Sequence, residues 1–153
     1  MKKTALDYIY IFIQLLLFIL WLKPPISIGF QATSVLPLDG ILLTVIGVLI
    51  ILIGLVQLNT NLTPFPTPNT GSKLVSKGVY GFIRHPIYTG IILGAIGLAI
   101  NTNSLSRLII GFSLWILFEF KARYEEKRLL EKFPEYEAYM GKTGRFFPKA
   151  FGW

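Results

Sequence analysis

An arginine, a histidine and a tyrosine fall within one short stretch, Arg84-His85-Pro86-Ile87-Tyr88, at the mouth of an apolar run, and His85 is the only histidine in the chain. A cation, an imidazole and a phenol set beside hydrocarbon can bind and orient a ligand, and polar groups held at such a boundary mark functional sites. The same residues also have a plain structural use. Pro86 suits the first position of a helix, where His85 would be the cap, and Arg and Tyr are ordinary anchors at a membrane interface. A second polar group, Lys121, Arg123, Glu125 and Glu126, follows another apolar run. Glutamates among basic residues on a helix commonly form a solvated, paired face. In this position they also offer a carboxylate that attracts a cationic ligand and a cation that orients an anionic one. Spacing alone leaves both readings open for each cluster. The chain has no glycine-rich nucleotide loop, no P-loop and no Ser-His-Asp order. With no cysteine and a single histidine, disulfides, a thiolate nucleophile and a metal site are not expected.

The elements that must position these groups belong to a membrane. Of 153 residues, 53% are hydrophobic and 15% charged, whereas a soluble domain carries about a quarter charged residues; mean hydropathy is +0.60. One small all-α integral membrane domain follows, without repeats or a second domain. The net charge of +7 lies on the flanks of apolar runs rather than in a basic stripe interleaved with aromatics, so it predicts membrane orientation and no nucleic-acid partner.

Four membrane helices are predicted. The first is Tyr8 to Leu22, interrupted only by Gln14 and stopped by Lys23-Pro24-Pro25; Lys2 and Lys3 before it imitate a signal peptide, but no small-residue cleavage site follows, so an uncleaved anchor is expected. The second, Gly40 to Leu58, is uncharged and long enough, at 1.5 Å per residue, to cross about 30 Å of hydrocarbon. The third and fourth, Ile87 to Ile100 and Leu105 to Phe120, flank the tight turn Asn101-Thr102-Asn103-Ser104. The third is short for a span, so the lead-in from Tyr80 either extends it or sits at membrane depth against protein. Gly90, Gly94 and Gly97 on this helix permit either close helix packing or a narrow ligand channel.

Lys2, Lys3, Lys73, Lys77, Arg84 and eight basic residues from Lys121 to Lys149 lie on one side of these spans, with Lys23 and Arg107 near the other. Both termini and the site are therefore expected to be cytoplasmic. Leu129, Phe133, Tyr136 and Met140 recur at i, i+4, i+7 and i+11, while Lys121, Glu125, Arg128 and Lys132 share another face. This pattern predicts an amphipathic cytoplasmic helix over about 121 to 141, continuing from the fourth span. The prolines at 64, 66 and 68 make Thr63 to Asn69 a stiff, non-helical loop on the same side.

Two blocks resemble the isoprenylcysteine carboxyl methyltransferase family, which is related to the phospholipid N-methyltransferases. The first is Leu74-Val75-x-x-Gly78-x-Tyr80-x-x-x-Arg84-His85-Pro86-x-Tyr88-x-Gly90; the second is Glu125-Glu126-x-x-Leu129-x-x-x-Phe133-x-x-Tyr136-x-x-Tyr139, closing at Phe147-Pro148. The likeness covers about residues 55 to 148, and the first two helices match in character only. It implies a membrane methyltransferase that uses S-adenosylmethionine without a Rossmann domain. By this resemblance the cofactor is held by Lys73, Leu74, Val75, Tyr80, His85, Pro86, Ile87, Tyr88 and Glu125, with Glu126 beside it. Lys121, with Arg123 as its neighbour, is expected to engage the carboxylate of a lipophilic acceptor, most simply an isoprenylcysteine; a phospholipid amine and a non-catalytic scaffold are the alternatives. Two departures stand out. Some members carry Arg where this chain has Lys121, and Lys lacks the bidentate grip; Pro134 stands where a Gly usually follows the Phe.

Overall fold

A computed structural model describes residues 1–30 and 37–149. Among them there are no named strands, only two isolated bridges, Gly29 with Ser104 and Ile83 with Gly144. The helices are α1 (Ala5–Leu22), α2 (Pro37–Leu58), α3 (Pro86–Asn101), α4 (Leu105–Lys132) and α5 (Tyr136–Lys142).

Helices α1 and α2 are long and apolar enough to cross a membrane. Both leave Leu, Ile, Val and Phe side chains exposed along their length, which water would oppose and hydrocarbon would not. Helix α3 is shorter, and α4 carries Arg107, Glu119 and Lys121 among its apolar residues.

The tightest seam joins α2 to α3. A Cβ added to Gly47 would lie 2.6 Å from the Gly90 carbonyl oxygen, and one on Gly40 would lie 2.7 Å from that of Gly97. Absent side chains let the backbones touch, so Gly90 and Gly97 serve helix packing rather than a channel; a Cβ on Gly94 would meet open space. Helix α4 packs on α3 and on α1. Its start is fixed by Ser104, which caps the Arg107 N–H, and by Ser106, whose Oγ accepts from Ile28 N at 2.9 Å.

The expected cytoplasmic helix over 121 to 141 is not one helix. Residue 133 takes extended geometry (φ −123°, ψ 105°) because the Pro134 ring excludes helical φ and ψ from the residue before it, and α4 ends at Lys132. The chain then turns into α5. This bend carries Tyr136 and Tyr139 back toward the Arg84-His85 segment. The lead-in does not extend α3 but packs against protein. Gly78–Gly81 is a single 3₁₀ turn, started by Gly78 at φ 62°, and the extended residues after it lie against the C-terminal tail.

Candidate active site

The lead-in is held as one edge of a two-chain ribbon. Arg84 N donates to Gly144 O (2.9 Å), His85 N to Arg145 O (3.1 Å), and Gly144 N to Phe82 O (3.1 Å). Thr89 Oγ1, one turn into α3, donates to Phe146 O at 2.9 Å. The tail thus fixes where His85 and Tyr88 project. A Cβ on Gly144 would collide with the Phe147 backbone, so the tail's own turn requires glycine there.

Beneath this ribbon lies Glu126, whose side chain is 4% exposed. It accepts from Arg84 Nε (2.8 Å) and from Arg145 Nη2 (2.7 Å), and it lies 3.2 Å from His85 Nε2. Burial by itself would raise the Glu126 pKa, but the hydrogen bonds from His85 and Arg145 and the charges around it hold the carboxyl well below the usual carboxylate range. Arg145 also pairs with Glu119. With its acceptor sites filled by protein, Glu126 is a structural hub.

Glu125 is differently placed. Its side chain is 25% exposed, its Oε2 accepts from the Tyr88 hydroxyl at 2.8 Å, and it lies 3.8 Å from His85 Nδ1. The imidazole therefore stands between the two glutamates. Tyr88 is stacked on His85 on one side and on Phe118 on the other (centroids 5.3 and 4.6 Å, planes within 6°).

Glu125, His85, Arg84, Tyr80, Leu58 and Thr63 form the shared wall of two clefts. The outer one, about 610 Å³ with its open mouth, is bounded by Lys73, Leu74 and Val75, by Phe65 of the proline-rich loop, and by Leu129, Phe133, Tyr136 and Tyr139. Lys132 fastens its rim through Ser72 Oγ (2.6 Å) and the Thr70 carbonyl (3.2 Å), while Tyr139 OH donates to Tyr80 O at 2.6 Å. Burial pushes the Tyr139 phenol up to about 12, so at neutral pH it stays a donor. The inner cleft, about 810 Å³ with its mouth, runs toward the apolar helices and is lined by Pro86, Ile87, Tyr88, Ile91, Gln14 and Lys121. Lys121 is 1% exposed; its ammonium donates to Gln14 Oε1 (2.6 Å) and Pro64 O (3.0 Å) and lies 5.2 Å from the Tyr88 ring centre.

Thus Lys73, Leu74, Val75, Tyr80, His85, Pro86, Ile87, Tyr88, Lys121 and Glu125 all meet at one pair of clefts. Two expected residues do not. Arg123 is on the outer face of α4, 64% exposed and paired with Glu119 at 2.7 Å, because a two-residue step from Lys121 turns it about 200° around the helix. Glu126 faces away from both clefts into its cation cage. Sequence reasoning missed Gln14 as a cleft residue, Arg145 as a partner of Glu126, and Asp7. Asp7 is fully buried and accepts from Thr67 N (2.8 Å) and Thr67 Oγ1 (2.9 Å), tying the proline-rich loop to the start of α1. Thr4-x-x-Asp7 before an apolar run is a capping pattern, so that signal was present; Thr4 N donates to Asp7 Oδ2 at 2.6 Å.

The sequence is similar to that of several known proteins. A protein-S-isoprenylcysteine O-methyltransferase of Saccharomyces cerevisiae is 44% identical over 77 residues, covering 49% of this chain and 32% of the relative. A probable protein-S-isoprenylcysteine O-methyltransferase of Oryza sativa subsp. indica is 37% identical over 78 residues, covering 50% and 41%. The cobalt-zinc-cadmium resistance protein CzcN of Cupriavidus metallidurans is 34% identical over 79 residues, covering 51% and 37%. The chain spans about a third to two fifths of the length of these curated relatives. The family model for phospholipid methyltransferases matches residues 36–136, a span that includes α2, α3, α4 and most of both clefts, and the chain therefore belongs to the phospholipid methyltransferase family.

Proposed function

We propose that this protein is a multi-pass membrane methyltransferase that uses S-adenosylmethionine to methylate the carboxylate of a lipophilic, isoprenylcysteine-like acceptor, with four spans and with both termini and the site on the cytoplasmic side. One observation carries the reading. Glu125 and Lys121, four residues apart on one face of α4, line the same inner cleft, so a carboxylate and an ammonium stand a single turn apart where the inner cleft meets the outer one.

The outer cleft suits the cofactor. Aromatic and apolar walls from Phe133, Tyr136, Tyr139 and Leu74 would cover an adenosine, and Glu125 would balance a positive charge at the junction. S-adenosylmethionine, when bound, supplies an electrophilic methyl group on a sulfonium. This chain's residues then have three tasks. Lys121 orients an anionic oxygen by charge; Tyr88, stacked between His85 and Phe118, holds Glu125 in place; and the proline-rich loop with the Tyr80 segment keeps water out, so that electrostatic contacts act at low dielectric. An ionised carboxylate needs no general base, and His85 in this reading positions the site.

Methylation of a phospholipid amine is the second reading, favoured by the family match and by the Glu125–His85–Glu126 chain, which could carry a proton away. Calorimetric titration with S-adenosylmethionine tests the enzyme class, and a non-catalytic scaffold would bind none. Transfer of radiolabelled methyl to prenylated cysteine analogues, against extracted phospholipids, separates the two acceptors. Loss of turnover in His85→Ala, with cofactor affinity kept, would favour the amine.

A further inference from the structure

Gln14 is the only polar side chain between Tyr10 and Trp21, in the hydrocarbon stretch of α1. A carboxamide there is unfavourable unless it has a partner. Its partner is Lys121, at 2.6 Å through Oε1. An ammonium only donates, so the amide oxygen must face Lys121 and the amide NH2 must point elsewhere. Among the described residues that NH2 has no partner, and Lys121, with its other bond to Pro64 O, has one N–H left. Both groups line the inner cleft. What they offer it is donors alone, one turn of α4 from the Glu125 carboxylate.

Resting on the function proposed above, we infer that Gln14 is a specificity-determining residue of the acceptor site: its carbonyl fixes the Lys121 ammonium against the cleft wall, and its NH2 donates to the same anionic oxygen pair that Lys121 attracts. A two-donor cradle of one charged and one neutral group recognises a carboxylate and gives little to its ester, in which the charge is gone. Lys121 alone is a point charge without a preferred direction; the fixed amide supplies the direction.

The test is a binding measurement that needs no turnover. An N-acetylated S-prenylcysteine and its methyl ester are titrated separately into the parent, Gln14→Met and Gln14→Glu proteins in lipid nanodiscs, with S-adenosylmethionine titrated as a control for folding. The parent should prefer the acid. Gln14→Met keeps the length and removes both amide roles, so the preference should shrink by roughly tenfold or more, the worth of a hydrogen bond to a charged group. Gln14→Glu puts an acceptor where a donor stood and should abolish or reverse it. Ester affinity should move less than threefold. An unchanged acid-to-ester ratio in both variants, or no preference in the parent, overturns the inference; equal loss for acid and ester reduces Gln14 to a packing role and overturns it too. Failure of the enzyme reading is a separate event, seen as no cofactor binding and no methyl transfer by the parent.

Discussion

Replacing each member of the Glu125-Glu126 pair by glutamine should produce two opposite phenotypes from neighbouring residues. Glu126 is nearly sealed from solvent and has two guanidinium groups and an imidazole around it. Glutamine there keeps one acceptor, turns an N–H toward donors, leaves Arg84 without a counter-charge and leaves Arg145 with Glu119 alone. Breaking a buried pair on one side costs about 3–5 kcal/mol, which for a chain of this size lowers the melting midpoint by on the order of 10 °C. Glu125 makes one hydrogen bond, to the Tyr88 hydroxyl, which the glutamine oxygen can still accept. Its substitution should leave the midpoint within a few degrees. If Glu125 balances the cofactor's charge, affinity should instead fall roughly tenfold, since a charge-assisted contact is worth about 1.5–3 kcal/mol and partial exposure reduces it toward the lower figure. Thermal unfolding and calorimetric titration with S-adenosylmethionine, on both variants in the same nanodiscs, measure the two effects independently. Equal losses of affinity in two folded variants, or a Glu126→Gln protein that melts with the parent, would refute the division of roles.

The depressed Glu126 pKa has a pH signature: its contribution to stability is present above the ordinary carboxylate value of 4.5 and is lost as pH falls from there toward the folded value. The parent should lose more melting temperature between pH 7 and pH 3 than Glu126→Gln does, and parallel curves would count against the cage. Gly47→Val should abolish a monodisperse product on gel filtration, since its Cβ has only 2.6 Å to the Gly90 oxygen, whereas Gly94→Ala should behave as the parent. Gly144→Ala should free the tail, giving faster proteolysis after Lys142 and at least about tenfold weaker cofactor binding through misplacement of His85. A single cysteine at Asn103 should react with impermeant reagent from outside and one at Thr70 from the cytoplasmic side; Asn103 reacting only from the cytoplasm and Thr70 only from outside would reverse the proposed topology.

Much of the scaffold was legible because its signals are local. Apolar runs, Pro86 at a first helical position and the Asn101–Ser104 turn gave both ends of α1, α2 and α3 and the start of α4 to within three residues, while α4 runs on past the expected end of its span at Phe120 to Lys132. Pro134 in place of the usual Gly points to a reshaped turn, but not to the direction of the chain beyond it, so the bend that brings Tyr136 and Tyr139 over the outer cleft was not legible. The site divides in the same way. Residues 73 to 88 and Glu125 lie in two compact blocks, and their meeting follows from the blocks. Arg123 was placed wrongly because proximity in sequence was weighed above helical angle. Gln14 and Arg145 are separated from their partners by 107 and 19 residues, and single polar residues in unremarkable surroundings carry no local mark of a distant partner.

The glycine seam between α2 and α3 has a consequence for how the acceptor range of such a protein can change. The groups proposed above to choose the acceptor, Gln14 and Lys121, stand on α1 and α4, while the glycine contacts that tolerate no added atom stand on α2 and α3. Selectivity and cohesion are thus written on different helices. On that proposal a lineage, or a library, can vary the donors of α1 and α4 to accept a new head group without touching the crowded glycines Gly40, Gly47, Gly90 and Gly97, where an added side chain would part the two backbones.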